Sequence, residues 1–140
     1  MASIFTRIIS GEFPGHFIWK DEKAVAFLTI QPFNDGHAMV IPREEINHWD
    51  DLPEDLAQHL MTVSQRVAKG CKKAFVCERV GVMIAGFEVP HTHIHVIPVN
   101  GLGELSFANA RDESQEKLAE NAARLRDALI ELGYEEARCD

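Results

Sequence analysis

A chain of 140 residues with 22 acidic against 14 basic side chains has a formal net charge of -8 at pH 7. That excess argues against a nucleic-acid backbone or an anionic membrane surface as partner, since both select basic faces. A small phosphorylated ligand, neutralised locally inside a pocket, stays compatible with it.

The length suits one domain able to bury about two-thirds of its unfolded surface. Cys71, Cys77 and Cys139 are odd in number and form no CxxC pair, which fits reduced cytoplasmic thiols better than a disulfide framework. No basic-then-apolar leader and no apolar run of membrane-spanning length is present, so a cytoplasmic domain is expected.

Phe17 to Lys20 and Ala24 to Leu28 read as two short strands around the polar turn Asp21-Glu22-Lys23. A loop with Pro32, Asn34, Asp35 and Gly36 leads into a third strand, His37 to Ile41, ending at Pro42. Pro53 suits the first turn of a helix, and Leu56, Leu60, Val63, Val67 and Cys71 follow at helical spacing as a core stripe. Val80 to Ala85 forms a fourth strand, joined by the short segment Gly86 to Pro90 to a fifth, His91 to Pro98, its antiparallel neighbour. A final helix begins near Asp112, with Leu118, Ala122, Leu125, Leu129 and Leu132 on one face and Gly133 as its stop. The order β-β-β-α-β-β-α predicts an α+β domain: a five-stranded antiparallel sheet with two main helices.

The fifth strand is the most informative segment. His91, His93 and His95 stand at i, i+2, i+4, so on a strand they share one face, with Thr92, Ile94 and Val96 on the other. A row of imidazoles titrating near neutrality suits a phosphate, a metal or a transferable proton. Strand rise separates the outer pair by about 13 Å. Three such rings cannot meet one zinc ion whose bonds to nitrogen are about 2 Å long, although two neighbours could with help from elsewhere. A phosphorus reading uses the spacing better: a central neutral imidazole attacks phosphorus, while flanking rings hold phosphoryl oxygens and protonate a leaving group. Such a site needs a further donor from a neighbouring strand. His37, after Gly36 and at a strand start, is the candidate, whereas His16, His48 and His59 read as surface or helix residues.

His91-x-His93-x-His95, preceded by Gly36-His37-Ala38-Met39-Val40-Ile41-Pro42, resembles the histidine-triad (HIT) superfamily of nucleotidyl hydrolases and transferases. Ile4 to Pro14 and Ala26-Phe27-Leu28-Thr29-Ile30-Gln31-Pro32 are similar to its Hint-like branch. The lead-in Ala85-Gly86-Phe87-Glu88-Val89-Pro90 is similar to actinobacterial HIT-like hydrolases. The likeness runs from about residue 3 to residue 98, and a C-terminal helical extension of the single domain begins at about 112. The resemblance implies a metal-independent, phosphoramidase-like enzyme that acts on the α-phosphate of a nucleoside 5'-phosphoramidate or related nucleotidyl conjugate through a nucleotidyl-histidine intermediate. It further implies His93 as nucleophile, His95 and His37 as phosphate holders, and His91 as a positioning and protonating residue. The ligand it implies is a purine nucleotide or conjugate, with Ile4, Phe5, Ile8, Phe27 and Leu28 lining an apolar base slot, no cofactor, and a homodimer.

The chain departs from that pattern in four places. Thr29 replaces the Asp or Asn that faces the ribose hydroxyls, and a hydroxyl offers a weaker grip than a carboxylate. Zinc-containing relatives have Cys-x-x-Cys near the start and a histidine after the third strand, where Ser3, Thr6 and Glu45 stand here, so no metal is expected. The loop bearing an Asn in many relatives is shortened around Ala85-Gly86. Glu88 occupies the neighbourhood of a Ser that assists the leaving group; it accepts a hydrogen bond from a triad imidazole, selects a cationic leaving group such as a lysine-like amine, or points to water. These differences keep a second reading open: a nucleotide- or partner-binding protein with little turnover.

Overall fold

The computed structural model describes residues 1–139. Elements follow the order α1 (Ile4–Ile9), β1 (Phe17–Lys20), β2 (Ala24–Leu28), β3 (Ala38–Pro42), α2 (Glu54–Ala74), β4 (Arg79–Met83), β5 (Ile94–Val99) and α3 (Gln115–Glu131). The strands form one antiparallel sheet in the order β1-β2-β3-β5-β4, which gives the predicted α+β architecture with two long helices.

Period-two alternation sorts the central strands onto two buried faces. Ala24, Ala26, Leu28, Ala38, Val40, Ile94 and Val96 join the main core under α2 and α3. Val25, Phe27, Met39 and Ile41 point the other way and pack with Phe5 of α1, while Ile97 and Val99 on that side pack with Phe33. Apolar side chains on both faces explain why β2, β3 and β5 are buried throughout. The chemistry-bearing side chains lie on the α1 face, away from the long helices.

Helix ends follow local chemistry. In α2, Glu54 and Asp55 sit in the first turn and Lys72 and Lys73 in the last, complementing the helix dipole. The stripe Leu56, Leu60, Val63, Val67 and Cys71 is buried as expected. Gly70 lets α2 approach α3, because a Cβ there would lie 2.7 Å from Leu129 Cδ2. Ser114 caps α3 by accepting from the Lys117 N–H at 3.1 Å, and Gly133 follows its end at φ +96°. Leu132 is exposed rather than part of the α3 core face: it is the C-cap, one residue beyond the end of the helix.

Other boundaries shift. β4 runs from Arg79 to Met83 rather than Val80 to Ala85, and α3 starts at its Ser114 cap rather than near Asp112. The six-residue helix α1 has no counterpart among the predicted elements, being too short for a legible periodicity. The largest correction concerns β5, which begins at Ile94, so only His95 of the three histidines lies in the ladder. The β3–β5 register pairs Val40 with Ile94, and continued outward it sets Pro42 opposite Thr92. Proline has no N–H to extend the ladder. Thr92 instead donates its backbone N–H to the Ile46 carbonyl at 2.8 Å.

His37 is delivered to β3 by a tight turn in which its N–H donates to the Asn34 carbonyl at 3.2 Å. Gly36 adopts φ +88° there, and a Cβ on it would stand 2.6 Å from the Phe75 ring. Gly36→Ala should therefore cost about 2 kcal/mol or more in urea unfolding, from combined left-handed backbone strain and overpacking; a variant as stable as the parent would contradict this.

Candidate active site

The site grows from β5, the turn before β3, α1 and the loop preceding His91. His37, His91, His93 and His95 are all at least nine-tenths buried. Their tautomers follow from partners that have only one hydrogen-bonding role. The backbone N–H of Phe33 donates to His37 Nδ1 at 3.1 Å, which leaves the ring's proton on Nε2. That N–H donates to His95 Nδ1 at 2.8 Å, so His95 presents an N–H at Nε2, directed at Glu88 Oε2 2.9 Å away. Independently, His93 Nδ1 donates to the backbone carbonyl of His91 at 2.7 Å. The remaining nitrogen, His93 Nε2, faces Glu88 Oε2 at 2.8 Å.

Burial, followed by the neighbouring His95, pushes His37 from 6.5 down to about 3, against a smaller opposing pull from Glu88. Burial also lowers His95 and His91, partly opposed by hydrogen bonds to Glu88 and to the Pro42 carbonyl. Partial burial acts to raise Glu88, yet hydrogen bonds with His93 and His95 outweigh it and hold the carboxyl at about 2. Aromatic rings hold the imidazoles in place: Phe5 packs edge-on to His93 at 4.9 Å, and Phe33 to His37 at 4.5 Å.

His37, His93, His95 and Glu88 open onto a cavity of about 480 Å³. Ile4, Phe5, Ile8, Phe27, Leu28 and Thr29 all line it. Thr29 has its Oγ1 accepting from the Gln31 N–H at 3.2 Å. Phe33, Met39 and Phe107 line the cavity as well. Phe33 and Phe107 escaped the sequence reading because a loop aromatic gives no periodic signal, although Phe33 stands beside Pro32 and close before His37, whereas Met39 was read only as part of the third strand.

His91 sits apart. Its Nε2 donates to the Pro42 carbonyl at 2.8 Å and its Nδ1 accepts from Ser3 Oγ at 2.7 Å. Both ring nitrogens are thus turned from the cavity, and His91 reaches His93 through its backbone carbonyl. Ser3, Thr6 and Glu45 complete this cluster: the Ser3 N–H and the Thr6 hydroxyl both donate to Glu45 Oε1, at 2.7 and 2.6 Å. Those bonds hold the Glu45 carboxyl below its ordinary range. Hydroxyls already committed to hydrogen bonds do not fit a thiolate-and-imidazole zinc centre. The cluster ties α1 to the ends of β3 and β5 without an ion.

A second metal arrangement needs the same scrutiny, because donor atoms of Glu88, His93 and His95 lie within 4.8 Å of one another. Glu88 is the outside help that two neighbouring histidines required. The Phe33 amide decides against it: it places a proton on His95 Nε2, and an N–H donates to an anion rather than ligating a cation. What the arrangement offers is an N–H donor and a potential lone pair side by side, both aimed at one point.

The model of the HIT domain matches residues 10–101 of this chain. A HIT-like protein of Mycobacterium tuberculosis is 30% identical over 137 residues, covering 94% of this chain and 95% of the relative. An adenosine 5'-monophosphoramidase of Saccharomyces cerevisiae is 35% identical over 98 residues, covering 69% of this chain and 62% of the relative. Among solved structures, the crystal structure of a Zn-bound histidine triad family protein from Mycobacterium smegmatis superposes with a TM-score of 0.80 at 30% identity, over 93% of this chain and 94% of that one. Among the described residues, no helix is long and apolar enough to cross a membrane.

The buried imidazoles make stability sensitive to acid. Folded His37 stays neutral down to about pH 3, whereas an unfolded histidine takes up a proton near 6.5. Between those values the unfolded chain binds more protons, so stability falls as pH falls, by about 1.4 kcal/mol per pH unit for this group alone. Urea unfolding at about pH 6 and pH 5 should show at least that loss, and His37→Gln should make it shallower.

Proposed function

The chain belongs to the HIT domain family, and on that premise we propose that it hydrolyses a nucleoside 5'-phosphoramidate, or a related nucleotidyl conjugate, through a nucleotidyl-His93 intermediate. One observation carries the reading: the His91 carbonyl holds the proton of His93 on Nδ1, so that the cavity-facing Nε2 can present a lone pair to phosphorus. His95, held by His37, offers its Nε2–H to a phosphoryl oxygen. The apolar wall of Phe5, Ile8, Phe27 and Leu28 suits a purine base, with the ribose toward Thr29. The similarity to an adenosine 5'-monophosphoramidase supports the same chemistry. A homodimer and a cytoplasmic location belong to this reading as well.

In the reaction, attack by Nε2 forms an N–P bond as the leaving group departs, and water then releases the nucleoside monophosphate. The His91 carbonyl stabilises the imidazolium that forms, as an acceptor already aligned on Nδ1. Incubation with adenosine 5'-phosphoramidate should release AMP, and His93→Ala should reduce the rate by about 10³-fold or more. Equal rates for parent and variant would refute the reading.

The contact of Glu88 with His93 favours one second reading, a nucleotide-binding protein with little turnover; tight AMP binding in calorimetry without product on long incubation would select it. Thr29→Asp should restore a two-acceptor grip on the ribose and tighten AMP by about 1 kcal/mol, roughly fivefold. Unchanged or weaker binding would place the ribose elsewhere.

A further inference from the structure

Proton accounting at Glu88 reaches beyond the nucleophile. His93 Nδ1 must bear a proton because a backbone carbonyl only accepts. Between His93 Nε2 and Glu88 Oε2, 2.8 Å apart, a bare lone pair facing a bare carboxylate would be repulsive, so one proton is shared there. The His95 N–H already serves the same oxygen and cannot supply it. Glu88 therefore forms with His93 a pair that holds one proton in front of the nucleophilic nitrogen. That nitrogen attacks only when the proton resides on Glu88.

From this geometry, and resting on the nucleotidyl-histidine reading above, we propose that Glu88 is a catalytic acid that delivers this proton to the leaving group. Within the phosphoramidates already proposed, such an acid serves conjugates whose amine departs poorly. Glu88 Oε2 stands 2.8 Å from His93 Nε2 in hydrogen-bonding geometry, so the line of the nitrogen's lone pair runs toward the carboxyl. A phosphorus atom entering that line displaces the carboxyl outward, to the side from which an in-line leaving group departs. The side chain is 34% exposed and sits on the loop between β4 and β5 at the cavity rim, so it retreats without leaving the site. Next to a phosphoryl anion the carboxyl keeps its proton more readily than it does beside two imidazoles.

In the first half-reaction the Nε2 lone pair forms the N–P bond, the bond from phosphorus to the amine breaks, and the departing nitrogen takes its electron pair and the proton of Glu88. Glu88 is left as a carboxylate. In the second, it removes a proton from water as the water oxygen bonds to phosphorus and the P–Nε2 bond breaks. His93 regains its lone pair and Glu88 its proton. An anionic leaving group such as pyrophosphate needs no such proton and meets the carboxyl as a like charge.

The test compares two AMP derivatives on the full chain: the n-propyl phosphoramidate, whose amine must be protonated to leave, and the p-nitrophenyl ester, whose phenolate leaves without a proton. Glu88→Gln should lower kcat on the phosphoramidate by about 100-fold and on the ester by at most about tenfold. Glu88→Asp should recover part of the phosphoramidate rate. AMP binding in calorimetry confirms that both variants are folded. Equal losses on the two substrates, an undiminished or faster phosphoramidate rate in Glu88→Gln, or no recovery in Glu88→Asp would overturn the proposal. If His93→Ala turns over the ester as fast as the parent, the nucleotidyl-histidine reading fails first and the role of Glu88 falls with it; an ester rate that depends on His93 isolates any remaining failure to Glu88.

Discussion

A single backbone amide orders the whole site. The Phe33 N–H can only donate, so its bond to His37 Nδ1 settles the proton on the far side of that ring, and the His37–His95 contact passes the polarity onward. Each imidazole is a two-ended switch in isolation. Coupled in series to a group with one possible role, the pair has a direction, and the direction ends in an N–H aimed at the cavity. The same logic acts on His93 through the His91 carbonyl, with the opposite outcome: its proton is held away from the cavity. Adjacent rings of one residue type thereby acquire different chemical roles. Burial completes the arrangement, because desolvation disfavours the imidazolium and keeps these protons where the hydrogen bonds put them.

The sheet makes this wiring rigid at low cost to its core. Alternation assigns one face to α2 and α3 and the other to α1 and the imidazoles. On the second face the four imidazoles are buried against β-strands covered on both sides, although only His95 lies within the ladder. Glu88 is the exception. It approaches from a loop, is a third exposed, and is the one member of the constellation free to exchange places with a ligand.

The cluster of Ser3, Thr6, Glu45 and His91 shows how a tie can change chemistry while keeping its place. The family resemblance sets zinc ligands at Ser3, Thr6 and Glu45; here hydroxyls, a carboxylate and an imidazole close a hydrogen-bond network that links α1 to the ends of β3 and β5. The mechanical result is local: α1 is held over the cavity and brings Phe5 against His93. A network of this kind needs no bound ion, but it relies on every donor having an acceptor in place.

Much of the fold was legible in the chain itself. Period-two apolar runs located the five strands, helical stripes located α2 and α3, and Gly133 marked the end of the last helix, because local propensity and burial agree at those positions. The spacing of His91, His93 and His95, with His37 after Gly36, singled out segments that the fold brings together as a buried group of imidazoles. Short α1, the late start of β5 at Ile94 and the contribution of Phe33 were not legible: α1 is too brief to show a period, β5 depends on the distant Pro42, and the Phe33–His37 bond depends on a turn rather than on spacing. Pro42 ends the ladder opposite Thr92, and the Phe33 amide meets a ring that a turn brings back to it. Sequence by itself determined which residue types were available and on which face of a strand they would lie. Only the tertiary structure decided that His91 turns inward to Ser3 and Pro42, that Glu88 stands before His93, and where each imidazole keeps its proton, because hydrogen-bond direction is fixed by partners and not by spacing.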